Sequence, residues 1–295
     1  MTMTRTTRRR WVSRTILALM GGGVLLCMIP LVSVLYTLVL NGWKSISFRF
    51  LFGEWKPVGE EGGILHAIVG SFALLIVACV FAVPIGLAKG IFLAQRGHTK
   101  LAQITRLLLD VMSGIPAIIV GVFVFTVVVH KSGFSLGLGY SMISGGLALA
   151  IIMLPIFART TEEALRSVPK SVDEAGLALG LPRRRVVLRI ILRAAMPAVL
   201  TGMFLAIARV AGEAAPLLFT AFGSNEVPHN LKQAGKWPMQ PVGSLPQLLF
   251  DYARQPFPEL VQQAWGAALV LVVLILGTRL ATNGIARWRY GRGEQ

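Results

Sequence analysis

The chain has 295 residues, of which 55% are hydrophobic and only 14% are charged, and its mean hydropathy is +0.69. This composition excludes an ordinary soluble domain, whose surface needs many more polar residues, and it predicts an integral membrane protein. The formal net charge of +16 does not indicate a nucleic-acid partner, because the Lys and Arg residues collect between long apolar runs.

Six apolar stretches are long enough to cross a membrane as helices, which takes about 20 residues. In chain order, we predict spans over Ile16–Leu40, Ile64–Ala88, Val111–Val129, Leu136–Ala158, Met196–Phe222 and Leu260–Ala281. The first is too long for a signal peptide and has no clear cleavage site after it, so we expect it to stay as an anchor. Gly114, Ile115 and Pro116 predict a bend in the third span. The predicted fold class is an all-α integral membrane protein with six transmembrane helices.

The distribution of basic residues sets the orientation of these spans. With both termini in the cytoplasm, the inner segments contain five, four, eight and four Lys and Arg residues, and the outer segments contain three, one and three. The positive-inside rule favours this orientation. We therefore divide the chain into a basic cytoplasmic tail at 1–15, an extra N-terminal helix at 16–40, a core at 64–284 and a second cytoplasmic tail at 285–295. The Cys and His residues show no ligand spacing, so we predict no metal and no other cofactor.

The inner segment 159–195 contains the signals of two short helices. Ser171 followed by Glu174 is a capping-box pattern, which predicts a helix that starts at Ser171. Asp173 and Glu174 would then lie in its first turn, where the helix dipole favours negative charge. Gly180 can adopt the left-handed conformation that ends such a helix.

A second helix is predicted to begin at Pro182, with Arg185, Arg189 and Arg193 in one stripe beside a broad apolar face. One interpretation is an amphipathic hairpin whose arginines meet anionic lipid. The other is a docking element for a cytoplasmic partner, and the residue pattern described next favours docking.

The same segment resembles the EAA loop of ABC importer permeases at Glu174, Ala175, Gly180, Ile190 and Leu192. It departs from that pattern at Gly176, where a second Ala is usual, at Arg193, and in the late position of Pro197. Five further stretches resemble the PstA-type permeases of phosphate ABC importers: EGGILHAIVGS, PIGLAKGIFLAQRG, SGIPAIIVGVFVF, PIFARTTEEAL and ARVAGEAAPLLFTA. The likeness runs from about Glu60 to Arg279 and implies a type I ABC importer permease fold in a bacterial cytoplasmic membrane.

The resemblance also implies partners and a division of labour. It implies a homologous second permease, a cytoplasmic ATPase dimer and a periplasmic phosphate-binding protein, all assembled around the lipid bilayer. The chain has no G-x-x-x-x-G-K-[ST] motif, so we expect ATP to be hydrolysed by a partner chain and this chain not to be an enzyme. The coupling element would comprise Ser171, Asp173, Glu174, Ala175 and Gly180. Another oxyanion such as molybdate or sulfate remains an alternative cargo, and a self-sufficient secondary transporter is a more distant alternative.

Arg209 and Glu213 are two charges inside the predicted fifth span. An Arg near the bilayer centre costs about 2.5–3.5 kcal/mol, whereas a local pair at spacing four returns only about 0.3–0.5 kcal/mol. Both charges must therefore face protein or water. They either clamp the partner permease, or Arg209 presents positive charge to the anion in transit while Glu213 partly neutralises it. We favour the second hypothesis.

Arg159 and Glu162 are a second charged pair, at the inner end of the fourth span. Arg159 could simply end the span and extend to the interface. Alternatively, the two residues could form a cytoplasmic gate pair at spacing three. We include both of them among the candidate residues of the translocation path.

Overall fold

The structure is a computed structural model that describes residues 5–60, 62–131, 133, 135–228 and 231–290. In these ranges the chain is built from helices, and the one pairing of extended backbone is an isolated bridge between Phe222 and Val242. Five of the described helices are long and apolar enough to cross a membrane, or six spans if one sharply bent pair is counted as a single span. The predicted all-α membrane fold is confirmed.

The helices are, in chain order, α1 (Arg5–Trp43), α2 (Phe48–Phe52), α3 (Leu65–Arg96), α4 (Lys100–Gly114), α5 (Ala117–Val124), α6 (Met142–Arg166), α7 (Lys170–Ala178), α8 (Arg183–Arg185), α9 (Leu192–Val210), α10 (Ala215–Thr220), α11 (Leu231–Lys236), α12 (Leu245–Tyr252) and α13 (Pro258–Tyr290). A π-helical stretch, Phe125–Val129, continues α5, and another, Val186–Ile191, joins α8 to α9. Arg183–Val210 is therefore one span.

The first span lies at the edge of the bundle and packs against α13. Only 6% of its most apolar stretch is buried inside the protein, so its apolar side chains face the hydrocarbon of the bilayer. The helix begins at Arg5, so residues 5–15, which we predicted as a tail, continue the anchor helix. The helix α13 likewise runs to Tyr290, and positions 291–295 of the second predicted tail lie outside the described residues.

The centre of the bundle is the pair α3 and α6, which pack along their length. Small residues allow this close approach: Gly86 lies against the ring of Phe157, and Gly90 lies against Thr161. Gly202 brings α9 onto α6 in the same way. In a bilayer, where the lipid offers no hydrophobic drive for helix association, such close backbone packing supplies the attraction between helices.

The third span, predicted over Val111–Val129, begins earlier, at Lys100, and is sharply bent. The helix α4 ends at Gly114, and the chain turns by 103° at Ile115 and Pro116 before the next helix begins. The predicted bend is confirmed. It arises because Pro116 has no N–H for the helix ladder and because the residue before a proline disfavours helical backbone.

The fifth span also differs from the prediction of one helix over Met196–Phe222. The helix α9 ends at Val210, and the short helix α10 follows after a turn. A continuous helix would bring the ring of Pro216 against the carbonyl of Gly212, four residues earlier. Pro216 packs on the bent third span instead, where a Cβ at Gly121 would lie only 2.7 Å from its Cα.

Candidate functional site

A helical hairpin at the cytoplasmic end contains the predicted coupling residues. Its first arm, α7, begins at Lys170 with Pro169 at the N-cap and no side-chain cap. The predicted capping box at Ser171 is therefore wrong, because Ser171 is already inside the helix and its hydroxyl cannot cap the helix start. Asp173 lies in the first turn as predicted. Gly180 has φ +73°, so its predicted left-handed conformation is confirmed.

The second arm begins directly after Pro182, as expected, and packs on the first. Gly176 faces Val186, and a Cβ at Gly176 would lie 2.9 Å from a methyl group of Val186. The Gly in place of the usual Ala thus brings the two arms together. Asp173 lies 3.6 Å from Arg183, which also donates to Gln95 Oε1 at 3.1 Å and so ties the hairpin to α3.

The opposite side of the hairpin is exposed. Ser171, Glu174 and Ala175 are exposed there, and 78% of the surface of Leu179 is accessible. An exposed Leu beside small residues and one carboxylate is a surface that fits a partner groove. Hereafter we call Ser171, Glu174, Ala175 and Leu179 the hairpin tip face.

The structure does not form the Arg159–Glu162 pair, which was one of the two alternatives for these residues. Arg159 makes an ion pair with Asp110 on α4. Glu162 is buried and accepts hydrogen bonds from Arg106 at 2.7 and 3.1 Å, and its carboxylate lies 2.9 Å from Arg166. That alternative considered only these two residues of one helix, whereas α4 packs beside α6 and places Asp110 next to Arg159 and Arg106 next to Glu162.

Sequence reasoning missed Arg106 and Asp110 for the same reason. Arg106 and Glu162 are 56 residues apart in the chain, and nothing in the sequence indicates which distant charges meet. Arg166 was overlooked although it lies four residues after Glu162 on α6. That spacing of four was a usable signal, as was the same spacing between Arg106 and Asp110, since it places two residues on one face of a helix. Arg106 also donates to the carbonyl of Gly97 at 3.0 Å. This buried cluster joins the inner ends of α3, α4 and α6.

Arg209 and Glu213 contact each other as an ion pair. Because α9 ends at Val210, Glu213 lies in the turn before α10 rather than on the same helix as Arg209. The Arg209 side chain is 55% exposed and that of Glu213 is 14% exposed. The carboxylate is therefore held by the protein, while the guanidinium is presented to whatever lies beside this chain.

Arg159 and Arg209, the two half-exposed arginines, lie in the same region of the fold, around the bend of the third span. Asp110, the partner of Arg159, is four residues before Gly114 at the end of α4. Beyond the bend, Gly121 packs on Pro216, three residues after Glu213. Gly202 contacts Thr160, the neighbour of Arg159, and Arg209 lies seven residues further along α9, about 10 Å at 1.5 Å per residue.

The described residues contain no group of three or more His, Cys, Asp or Glu side chains that could hold a metal ion. The fold combines membrane-spanning helices with one broken span, arginine–carboxylate pairs beside the break, and an inner helical hairpin. These features together define a multi-pass transport permease.

A family model described as "Binding-protein-dependent transport system inner membrane component" matches residues 86–288, and the chain belongs to this family. It is 38% identical to the phosphate transport system permease protein PstA of Xylella fastidiosa, over 81% of this chain and 80% of that protein. It is 37% identical to PstA of Yersinia pestis, over 91% and 88% of the two chains. PstA 1 of Mycobacterium tuberculosis is 32% identical, over 94% of this chain and 88% of that protein.

The fold is also similar to a solved structure, inward-facing conformations of the MetNI methionine ABC transporter. Two crystal forms match with TM-scores of 0.52 and 0.54 at 18% sequence identity, covering 76% of this chain and 93% of the other. At this identity the likeness concerns the fold alone, and it confirms the type I ABC importer permease architecture that the sequence predicted.

Proposed function

We propose that this chain is the transmembrane permease subunit of an ATP-driven importer of inorganic phosphate. The observation that carries the proposal is the identity of 32–38% to PstA permeases over at least 81% of this chain. The proposed complex pairs this chain with a homologous permease, a cytoplasmic ATPase dimer that hydrolyses the ATP, and an extracytoplasmic phosphate-binding protein.

Arg209 is the proposed anion-binding residue of the path. Phosphate is a multiply charged acceptor, and the planar guanidinium donates to it in a bidentate geometry. Glu213 keeps Arg209 paired while no phosphate is bound, which limits the cost of a bare charge in the membrane. An arriving phosphate replaces the Glu213 carboxylate as the partner of Arg209. The guanidinium thus has a negative partner both before and after phosphate binds, and the anion is attracted without being trapped.

Arg159 is proposed as a second station, with Asp110 in the role of Glu213. Both side chains of this pair are about half-exposed, so an anion can reach Arg159 without unpacking the bundle. Glu162 has a different role from the one that we predicted for it. Because it is buried between Arg106 and Arg166, we now assign it to holding the inner ends of the helices together.

The hairpin tip face is the proposed contact with the ATPase. Glu174, Ala175, Ser171 and Leu179 are exposed there, whereas Asp173 faces Arg183 and stabilises the hairpin itself. Gly180 sets the turn between the arms. Since the second arm continues without a break into α9, a pull on the hairpin reaches Arg209 through one helix.

The test is ATP-dependent uptake of radiolabelled phosphate into vesicles that contain the purified complex. The wild type should accumulate phosphate, and an excess of unlabelled molybdate or sulfate should not compete with it. Arg209→Gln should abolish uptake while the complex still assembles. The matched control is Arg193→Gln, which removes an exposed charge from the inner part of the same continuous helix.

Three results would count against this assignment. Loss of assembly in Arg209→Gln would assign the residue to a clamp on the partner permease. Uptake by this chain without any ATPase would refute the importer class. Competition by molybdate or sulfate at equal concentration would refute phosphate as the particular cargo.

A further inference from the structure

Three adjoining cavities open on the outer side of the protein, above the bundle. Their volumes are about 520, 440 and 220 Å³, and Ser224 lines all three. They are bounded by the segment before α3, the segment after α10 and the helix α12. We call this continuous depression the outer groove. None of the translocation or coupling residues discussed above lines it.

The outer groove has the opposite charge to the rest of the protein. Glu54, Glu226 and Asp251 line it, and none of its described lining residues is Lys or Arg. The chain as a whole has a formal charge of +16. Arg254, three residues after Asp251, partly offsets that carboxylate, but it does not line the groove, and its Cζ lies 4.9 Å from the centre of the Phe250 ring. A recess with carboxylates on its walls concentrates negative potential and attracts cations.

Polar atoms without partners surround the smallest of the three cavities. Among the described residues, His66 Nδ1, Ser244 Oγ and Gln247 Oε1 are buried and lack a hydrogen-bond partner. The three side chains belong to residues that are only 3%, 1% and 3% exposed, and all three residues line this cavity. Each buried polar atom without a partner costs free energy, because it has lost its hydrogen bonds to water without gaining others. A ligand that donates hydrogen bonds at this end of the groove would recover that cost.

We propose that the outer groove receives a basic side chain, a Lys ammonium or an Arg guanidinium, presented by an extracytoplasmic protein partner. The inference rests on the proposed function for the existence of such a partner. Both groups carry several N–H donors and no acceptor, which matches the carboxylates and the Gln247 carbonyl oxygen. The smallest of the three cavities, at about 220 Å³, is below the roughly 300–1,000 Å³ typical of small-molecule sites, so it fits the end of one side chain.

The charge of the groove argues against two other occupants. A phosphate ion would meet three carboxylates and neither Lys nor Arg among the described lining residues, so the groove repels the proposed cargo. A metal ion would need a cluster of ligands, and the described residues contain no group of three suitable side chains. A partner's basic residue needs neither a coordination sphere nor positive surroundings.

The test measures how much phosphate-loaded phosphate-binding protein is needed for half-maximal ATP hydrolysis by the complete membrane-embedded complex. The test variant combines Glu226→Gln and Asp251→Asn. We expect it to need about tenfold more binding protein, because electrostatic complementarity between the surfaces is lost. The required concentration should also rise with salt in the wild type and change less in the variant.

Glu60→Gln is the matched control, since Glu60 is an outer carboxylate that pairs with Lys56 at 3.0 Å and does not line the groove. Basal ATP hydrolysis should be the same in all three proteins, which reports intact folding and assembly. An unchanged half-maximal concentration in the double variant would overturn the inference. Failure of the proposed function is a separate result, because it would appear in the wild type as ATP hydrolysis that does not respond to the phosphate-binding protein.

Discussion

Removal of the Glu162 charge tests whether the buried cluster stabilises the inner end of the bundle. Glu162 is 8% exposed and interacts with both Arg106 and Arg166. In Glu162→Gln, two arginines lose their common counter-charge, and the amide N–H₂ replaces one acceptor with a donor. We therefore expect the purified protein to lose stability, with the magnitude set by how well water can replace the carboxylate.

The magnitude follows from the burial of the three side chains. Breaking a buried ion pair by removing one partner costs about 3–5 kcal/mol. The arginine side chains are 33% and 51% exposed, so solvent recovers part of this, and we expect a loss of about 3 kcal/mol or less. At about 2–4 °C per kcal/mol, that upper limit corresponds to a decrease in Tm of at most roughly 6–12 °C.

The assay is thermal unfolding of the detergent-solubilised protein, followed by tryptophan fluorescence. Glu163→Gln is the control, because it removes the same charge from an exposed neighbouring position on α6. A difference of 2 °C is about the smallest shift expected per kcal/mol. If the Tm of Glu162→Gln lies within 2 °C of the Tm of Glu163→Gln, the cluster does not stabilise the bundle and our reasoning about its burial is refuted.

Three further predictions concern packing, backbone conformation and pH. Gly202→Ala should destabilise the bundle by about 1–3 kcal/mol, because a Cβ there would lie 2.6 Å from Thr160 Cβ; Gly212→Ala, with open space around it, should not, and equal melting of the two would contradict the packing. Gly180→Val should uncouple phosphate uptake from ATP hydrolysis, because a β-branched residue resists the φ of +73° at this position. Gly180→Asn should retain coupling. Normal uptake by Gly180→Val would show that the turn is dispensable. Burial raises the pKa of Asp251, so the folded protein binds the proton more tightly than the unfolded chain. The ionised carboxylate therefore destabilises the fold, and this effect grows as the pH rises from the unfolded-state pKa to the folded-state pKa. Asp251→Asn should raise the Tm at pH 7 and not at pH 3, and a lower Tm at pH 7 would contradict this.

Most of the fold could be predicted from local composition. A helix must satisfy its own backbone hydrogen bonds in the bilayer, so any apolar run of about 20 residues has one stable conformation there. The bend at Pro116 and the left-handed Gly180 were predictable for a similar reason, because each depends on the backbone of a single residue. The break after Val210 was signalled by Pro216 in the same way, and we overlooked it.

The candidate site was only half predictable. The energetic cost of Arg209 in the membrane identifies a functional or interfacial residue from one position alone, and Glu213 is close enough in the chain to be its partner. The partners Asp110 of Arg159 and Arg106 of Glu162 are different, because they belong to α4 and lie about 50 residues away in the chain. Several oppositely charged residues elsewhere in the chain are possible partners for each of these side chains. Only knowledge of which helices pack against each other identifies the right one.

The sequence by itself determined that this is a polytopic helical membrane protein with a basic inner side and an inner hairpin, because hydropathy, charge and backbone preference act over a few residues at a time. The tertiary structure alone decided that Arg159 pairs with Asp110, that Glu162 is buried between two arginines, and that distant carboxylates and buried polar atoms meet in the outer groove. Those features depend on helix packing, in which small residues such as Gly86 and Gly202 set the contact distances between segments far apart in the chain.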